Sequence, residues 1–157
     1  MSSTGYLSVG SWTDAGFTAA NFNSLADGSG VLAATAISNS TTNQVHERAD
    51  VSFSLVVGGT TTAASYFAIY ALPLNEDGTT YGDGYASGAG DPETCYYLGS
   101  VGVKSGVASG SAVTGTLELA GLPAGDFKMV VVNHLGVALN SSAAAVVKYR
   151  FVDLYNA

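Results

Sequence analysis

Apolar and polar positions alternate with a period of two over much of this chain. In ADVSFSLVV (49–57), Val51, Phe53, Leu55 and Val57 fall on one side, and Asp50, Ser52 and Ser54 on the other. VTGTLELA (113–120) repeats the pattern, with Val113, Leu117 and Leu119 opposed by Thr114, Thr116 and Glu118. In DFKMVVV (126–132) Phe127, Met129 and Val131 share a side; in VVKYRFVDL (146–154) Val147, Tyr149 and Phe151 oppose Lys148 and Arg150. Successive side chains of a strand point to opposite faces, so each run reads as an antiparallel strand with one face buried and one wetted. YLSVG (6–10), VLAATAIS (31–38), SYFAIYAL (65–72) and CYYLGSVGV (95–103) are further candidates. No long run places apolar residues at the i, i+3, i+4, i+7 spacing of a helix. About eight strands separated by Gly, Ser, Asn, Asp and Pro clusters predict an all-β fold, an antiparallel β-sandwich of jelly-roll-like type.

The segments between the strands carry their own signals. NSTTN (39–43) and GLPAGD (121–126) read as turns, with Pro and Gly fixing backbone angles. Residues 11–30 mix isolated aromatics with small polar residues and show no period, so residues 1–30 are expected to form an N-terminal arm or extension. Trp12, Phe17 and Phe22 would pin that arm to its own domain or to a neighbour. Residues 31–157 are expected to form the sandwich. Residues 75–94 (NEDGTTYGDGYASGAGDPET) make a connection longer than most, and loops of such length tend to be functional or mobile. Val51 to Asn75 holds no charge, but Gly58, Gly59 and Pro73 interrupt it and each half alternates like a strand; it is not expected to span a membrane.

Composition narrows the function classes. Five Lys and Arg against twelve Asp and Glu give a net charge of −7, which disfavours nucleic acid and anionic membrane surfaces as partners. Only 11% of residues are charged while 47% are hydrophobic, so Ser, Thr, Gly, Asn and Ala must cover the surface. Such a surface suits either packing against other subunits or a plain neutral exterior. The single cysteine, Cys95, cannot form an internal disulfide, which fits folding in a reducing compartment. MSSTGYLSVGSW has neither the basic segment nor the apolar stretch of a secretion signal. The sequons NST (39–41) and NSS (140–142) are accordingly expected to be chance matches.

Candidate chemistry is sparse. Glu76, Asp77, Asp83, Asp91 and Glu93 cluster in or beside the long loop, where oxygen ligands could hold calcium, but their spacing does not match an EF-hand. A solvated turn is the expectation. No G-x-S-x-G elbow and no P-loop occurs. His46 and His134 are the two imidazoles, and two His with one Cys show no zinc-ligand spacing. The chain is therefore expected not to be an enzyme, with no catalytic residue, no metal site and no cofactor.

One resemblance takes the reading further. YFAIYALPLNEDGTTYGDG (66–84) is followed by YYLGSVGV (96–103), LPAGDFKMVVVNHLGVAL (122–139) and VVKYRFVDL (146–154). In that order the segments resemble the small cement or decoration proteins of tailed bacteriophages, over a stretch from Ala49 to Leu154. The resemblance implies a jelly-roll sandwich that bridges major capsid protein subunits on the outer surface of the virion, after assembly in the host cytoplasm. It implies a homodimer or homotrimer, with contacts expected around Trp12 and Phe17 and around Tyr81 and Tyr85. The alternative is a tail- or fibre-associated or carbohydrate-binding sandwich, in which Tyr81, Tyr85, Tyr96 and Tyr97 would stack on sugar rings. An enzyme with scattered carboxylates is a third and minor reading.

Overall fold

The alternation written in residues 49–57 becomes the centre of a sheet. The computed structural model describes residues 5–40, 45–142 and 144–156, and among them nine strands are formed. They are β1 (Gly5–Val9), β2 (Thr13–Asp14), β3 (Gly30–Leu32), β4 (Arg48–Val56), β5 (Tyr66–Pro73), β6 (Tyr96–Gly102), β7 (Ala112–Ala120), β8 (Phe127–His134) and β9 (Val146–Asn156). A single 3-10 turn spans Ala19–Phe22. Sheet I has the order β1-β9-β4-β7, with β2 continuing along β9; sheet II has the order β3-β8-β5-β6. Every pairing is antiparallel.

The pairs nest. β1 and β2 pair with β9, β3 with β8, β4 with β7, and β5 with β6. A long antiparallel ribbon rolled onto itself gives this order, so the expected jelly-roll sandwich is the fold. β1 and β2 are two parts of one edge strand, because Gly10 N–H donates to Phe151 O and Thr13 lies opposite Tyr149. Ser11 and Trp12 together therefore face Arg150 alone, which is a β-bulge.

The core fills the space between the sheets. Val51, Phe53, Leu55 and Val57 on sheet I meet Phe67, Ile69, Ala71, Phe127, Met129 and Val131 on sheet II. The rings of Phe53 and Phe67 cross edge to face at 5.8 Å. Gly115 sits opposite Phe53 on β7, and a Cβ there would lie 2.8 Å from the Phe53 ring. The missing side chain is what gives that ring its room.

Two expectations need correction. Residues 5–30 are not an arm: β1 and β2 form the edge of sheet I, and Phe17, Phe22 and Leu25 are buried in the shared core. The bulge and the 3-10 turn erase the period-two signal that would have revealed this. The strand expected over 31–38 ends at Leu32. Ala34 N–H turns away to Gly16 O, and Ile37 then rejoins β8 opposite Phe127. Part of the NSTTN turn lies outside the described residues.

Two buried asparagines fasten the connections. Asn133 donates to Leu25 O and Val137 O and accepts from Leu135 N–H, tying the N-terminal segment to the β8–β9 connection. Asn39 donates to His46 O and Pro123 O and accepts from His46 N–H. Its side chain is fully enclosed, so the NST sequon offers no acceptor amide.

Candidate functional site

The long loop between β5 and β6 folds back over the outer face of sheet II. Ala68 and Leu72 of β5 and Val130 and Val132 of β8 point away from the main core, yet all are buried. Tyr81, Tyr85 and Cys95 pack on them with Leu32 and Tyr70, forming a second apolar layer. Burial on both faces explains why SYFAIYAL and MVVV read as nearly continuous apolar runs.

Tyr81 and Tyr85 thus serve the loop itself. Tyr81 bridges to Leu74, and the Lys128 amine stands 4.9 Å from its ring centroid. The Tyr85 hydroxyl reaches Ala89 O and Gly90 O at 2.8 and 2.9 Å. Burial, then the nearby Asp91 and Asp83 charges, push that hydroxyl up to about 12. Both rings are half-buried, so neither offers the open face expected for stacking on sugars.

A polar bolt holds the far arm of the loop. Asp91 accepts from the Tyr70 hydroxyl at 2.8 Å and lies 3.0 Å from His134 Nε2. Burial opposes the charge on Asp91, but the His134 and Tyr70 hydrogen bonds outweigh it and hold the carboxyl below its ordinary range. Tyr66 stacks on the His134 ring at 4.6 Å, and Tyr97 leans on Tyr70 at 5.4 Å. Tyr97 is 58% exposed, and Tyr66 and Tyr96 are exposed too. This end of sheet II is an aromatic patch beside a carboxylate and an imidazole.

Two other acids of the loop are engaged locally. Asp77 accepts from the Thr80 hydroxyl and from the Thr80 and Thr79 amides, which lower its carboxyl to about 2. Asp83 accepts from Glu93 N–H. Among the described residues no group of three His, Cys, Asp or Glu side chains is placed to hold a metal ion. Burial raises the Cys95 thiol, the reverse of what activates a nucleophile. His46 is bonded to Asp153 at 2.7 Å and stacked on Phe151 at 3.9 Å. Among the described residues, neither histidine ring is hydrogen-bonded to a hydroxyl or thiol of Ser, Thr or Cys.

The outer face of sheet I carries small polar side chains, and Ser52, Ser54, Thr114, Thr116 and Lys148 line an open depression in it. Across it run the rows Glu118–Asp50–Arg150, Thr116–Ser52–Lys148 and Thr114–Ser54–Val146. Arg150 pairs with Asp50 at 2.8 Å, and Arg48 with Glu118 at 3.1 Å, so most of its charges are matched in place. The Arg150 guanidinium also lies 4.5 Å from the Trp12 ring, which the bulge swings over it. Trp12 is exposed and stands at the rim of this face.

The four residues expected at an interface are therefore scattered. Trp12 is on sheet I, Tyr81 and Tyr85 cover sheet II, and Phe17 is 8% exposed and packed on Phe22 at 5.3 Å. Phe17 is a core residue and cannot make the contact expected of it. Leu7 and Val9, 61% and 42% exposed beside Trp12, carried no signal in the sequence because YLSVG reads as an ordinary strand. Compared with known protein families and with curated proteins, the chain finds no match in either.

Proposed function

We propose that this protein is a virion structural protein that decorates the outside of a bacteriophage capsid and bridges major capsid protein subunits. The observation that carries the reading is the outer face of sheet I. It is nearly charge-balanced, surfaced by Ser52, Ser54, Thr114 and Thr116 around an open depression, and rimmed by exposed Leu7, Val9 and Trp12. A face made mostly of small neutral polar side chains costs less to desolvate against another protein than a charged one, while an apolar rim supplies the gain. The rigid jelly roll supports the reading because a cement subunit has to transmit load without doing chemistry. The two histidines support it as well, each engaged by a carboxylate rather than poised at a nucleophile. The test is to mix the purified protein with undecorated capsids of the phage. Stoichiometric binding that raises the heat resistance of the capsid is the expected result.

A second reading, a carbohydrate-binding module, is favoured by one specific observation. Tyr66 and Tyr97 stand open beside the Asp91 carboxylate and His134. Aromatic faces next to polar groups suit the apolar and hydroxyl-bearing sides of a sugar ring. A glycan array separates the two: selective binding lost in Tyr97→Ala would favour the module over the cement protein.

A further inference from the structure

The four sheet edges of the sandwich are not treated alike. The β3 edge is capped by the long loop: Gly30 N–H donates to Ala89 O, Gly88 N–H to Gly30 O, and Leu32 N–H to Ser87 Oγ. The β6 edge is broken by a register shift opposite Ile69 and Tyr70. The β7 edge carries the carboxylate of Glu118. Among the described residues the β1 edge has no such protection. Gly5–Val9 contains no charge and no proline, and it presents Leu7 and Val9 on the outer face.

The ladder fixes which groups of that edge are free. Gly10 N–H donates to Phe151 O, and bonded positions alternate along an antiparallel pair, so Ser8 and Tyr6 face β9. Gly5, Leu7 and Val9 therefore direct their N–H and C=O groups outward. An unguarded edge of this kind is a template for another strand. We propose that the β1 edge pairs antiparallel with the β1 edge of a second copy of this chain, about a two-fold axis at Leu7. Leu7 then exchanges both backbone hydrogen bonds with its own symmetry mate, and Gly5 and Val9 exchange theirs with each other across the joint. All the outward groups of the strand are satisfied, which is the self-complementarity an isologous interface requires.

Side chains and charge favour the same occupant. Leu7 and Val9 project on the face that holds Val152, Arg150 and Trp12, so pairing brings the leucines together and extends that apolar strip across the axis. The chain is strongly acidic, and two copies repel at most approaches. At this edge they do not, because Gly5 to Trp12 holds no charge and the five acids of the long loop lie on the other sheet. The joined outer faces of sheet I then make one surface of twice the width. This rests on the proposed decoration role only for its use, since avidity follows from two linked docking faces.

The experiment uses the isolated full chain, so its failure is separate from failure of the capsid reading. Sedimentation equilibrium should give a species of twice 15.8 kDa that dissociates on dilution. Leu7→Pro removes an outward N–H and leaves the β9 ladder intact, as proline is tolerated on that side of an edge strand. It should melt like the parent but weaken dimerisation at least about tenfold. Leu7→Lys, a charge on the edge, should do the same if the proline variant folds poorly. Hydrogen exchange adds a site-resolved reading, in which the Leu7 and Val9 amides become protected as concentration rises. A monomer at every concentration, a trimer, or an unchanged mass in Leu7→Lys would overturn the proposal. Monomeric protein whose Leu7→Lys variant no longer binds capsids would also overturn it, since the edge would then belong to the capsid lattice.

Discussion

His134 Nε2 lies 3.0 Å from Asp91 Oδ1, so the last residue of β8 is joined to the far arm of the loop between β5 and β6. The same oxygen takes the Tyr70 hydroxyl, and the loop is thereby closed over Ala68, Leu72, Val130 and Val132. One carboxylate thus adds to the backbone and Tyr85 hydrogen bonds that keep a second apolar layer covered.

The loop should therefore loosen in acid before the core does. Asp91 and Asp77 have carboxyls depressed below their ordinary value of 3.8, Asp77 to about 2. A depressed carboxyl stabilises the folded form above its unfolded value and loses that contribution as pH falls through the folded one. Amide protection in residues 76–93, taken relative to the intrinsic exchange rate at each pH, should fall as pH drops from about 4 towards 2, while β4 and β8 stay protected. Asp91→Asn should reproduce the local change at neutral pH and, the pair being half exposed, cost under about 1 kcal/mol in melting.

Alkali should act on the same loop from the other side. The Tyr85 hydroxyl, raised to about 12 by burial and by Asp91 and Asp83, favours the folded state below its ordinary value of 10. That contribution is lost as pH rises through 12. Ultraviolet titration should show Tyr85 ionising late, together with loop release, and Tyr70, raised further still by burial and by Asp91, later again. Tyr85→Phe should remove the earlier of these two late steps and leave the Tyr70 one.

Phe53→Ala and Phe127→Ala should each destabilise the protein by about 3–5 kcal/mol, through lost transfer energy and a residual cavity. Both rings are enclosed on the inner face of a strand. Denaturant melting of the two variants gives the check, and near-parental midpoints would contradict the packing described.

Asn133→Leu should cost more than its size suggests. Leu25 O keeps the Leu139 N–H, but Val137 O and Leu135 N–H lose their partner, and unpaired buried polar groups cost about 1–3 kcal/mol each. Exchange should quicken first at Leu25–Gly30 and at Leu135–Leu139, the two connections this side chain joins.

The strands that the sequence announced most clearly are those with one wet face. β4, β7 and β9 oppose core residues to Ser, Thr, Lys and Arg, and a period of two survives in each. β5 and β8 were recognisable as strands, but their second burial was not. Ala68, Leu72, Val130 and Val132 are covered only because a loop returns from outside the local sequence. At the N-terminus the bulge at Ser11 and Trp12 inserts one residue and breaks the alternation, so an edge strand read as an arm. For the candidate surfaces, residue type pointed to aromatics, but exposure separates Phe17 and Tyr85 from Trp12 and Tyr97 and depends on contacts far away in sequence. Leu7 and Val9 look like core residues; only their place on the outer face of an edge strand distinguishes them.

The most direct test of the central claim is a cryo-EM reconstruction of undecorated phage heads after mixing with the purified protein. The account predicts this jelly roll at regular, near-full occupancy on the outside of the head, with the outer face of sheet I and the Trp12 rim against the capsid subunits. Heads that stay bare at saturating protein would contradict the decoration role itself. Full occupancy with the Tyr66 and Tyr97 end of sheet II facing the capsid would contradict the surface assigned to it.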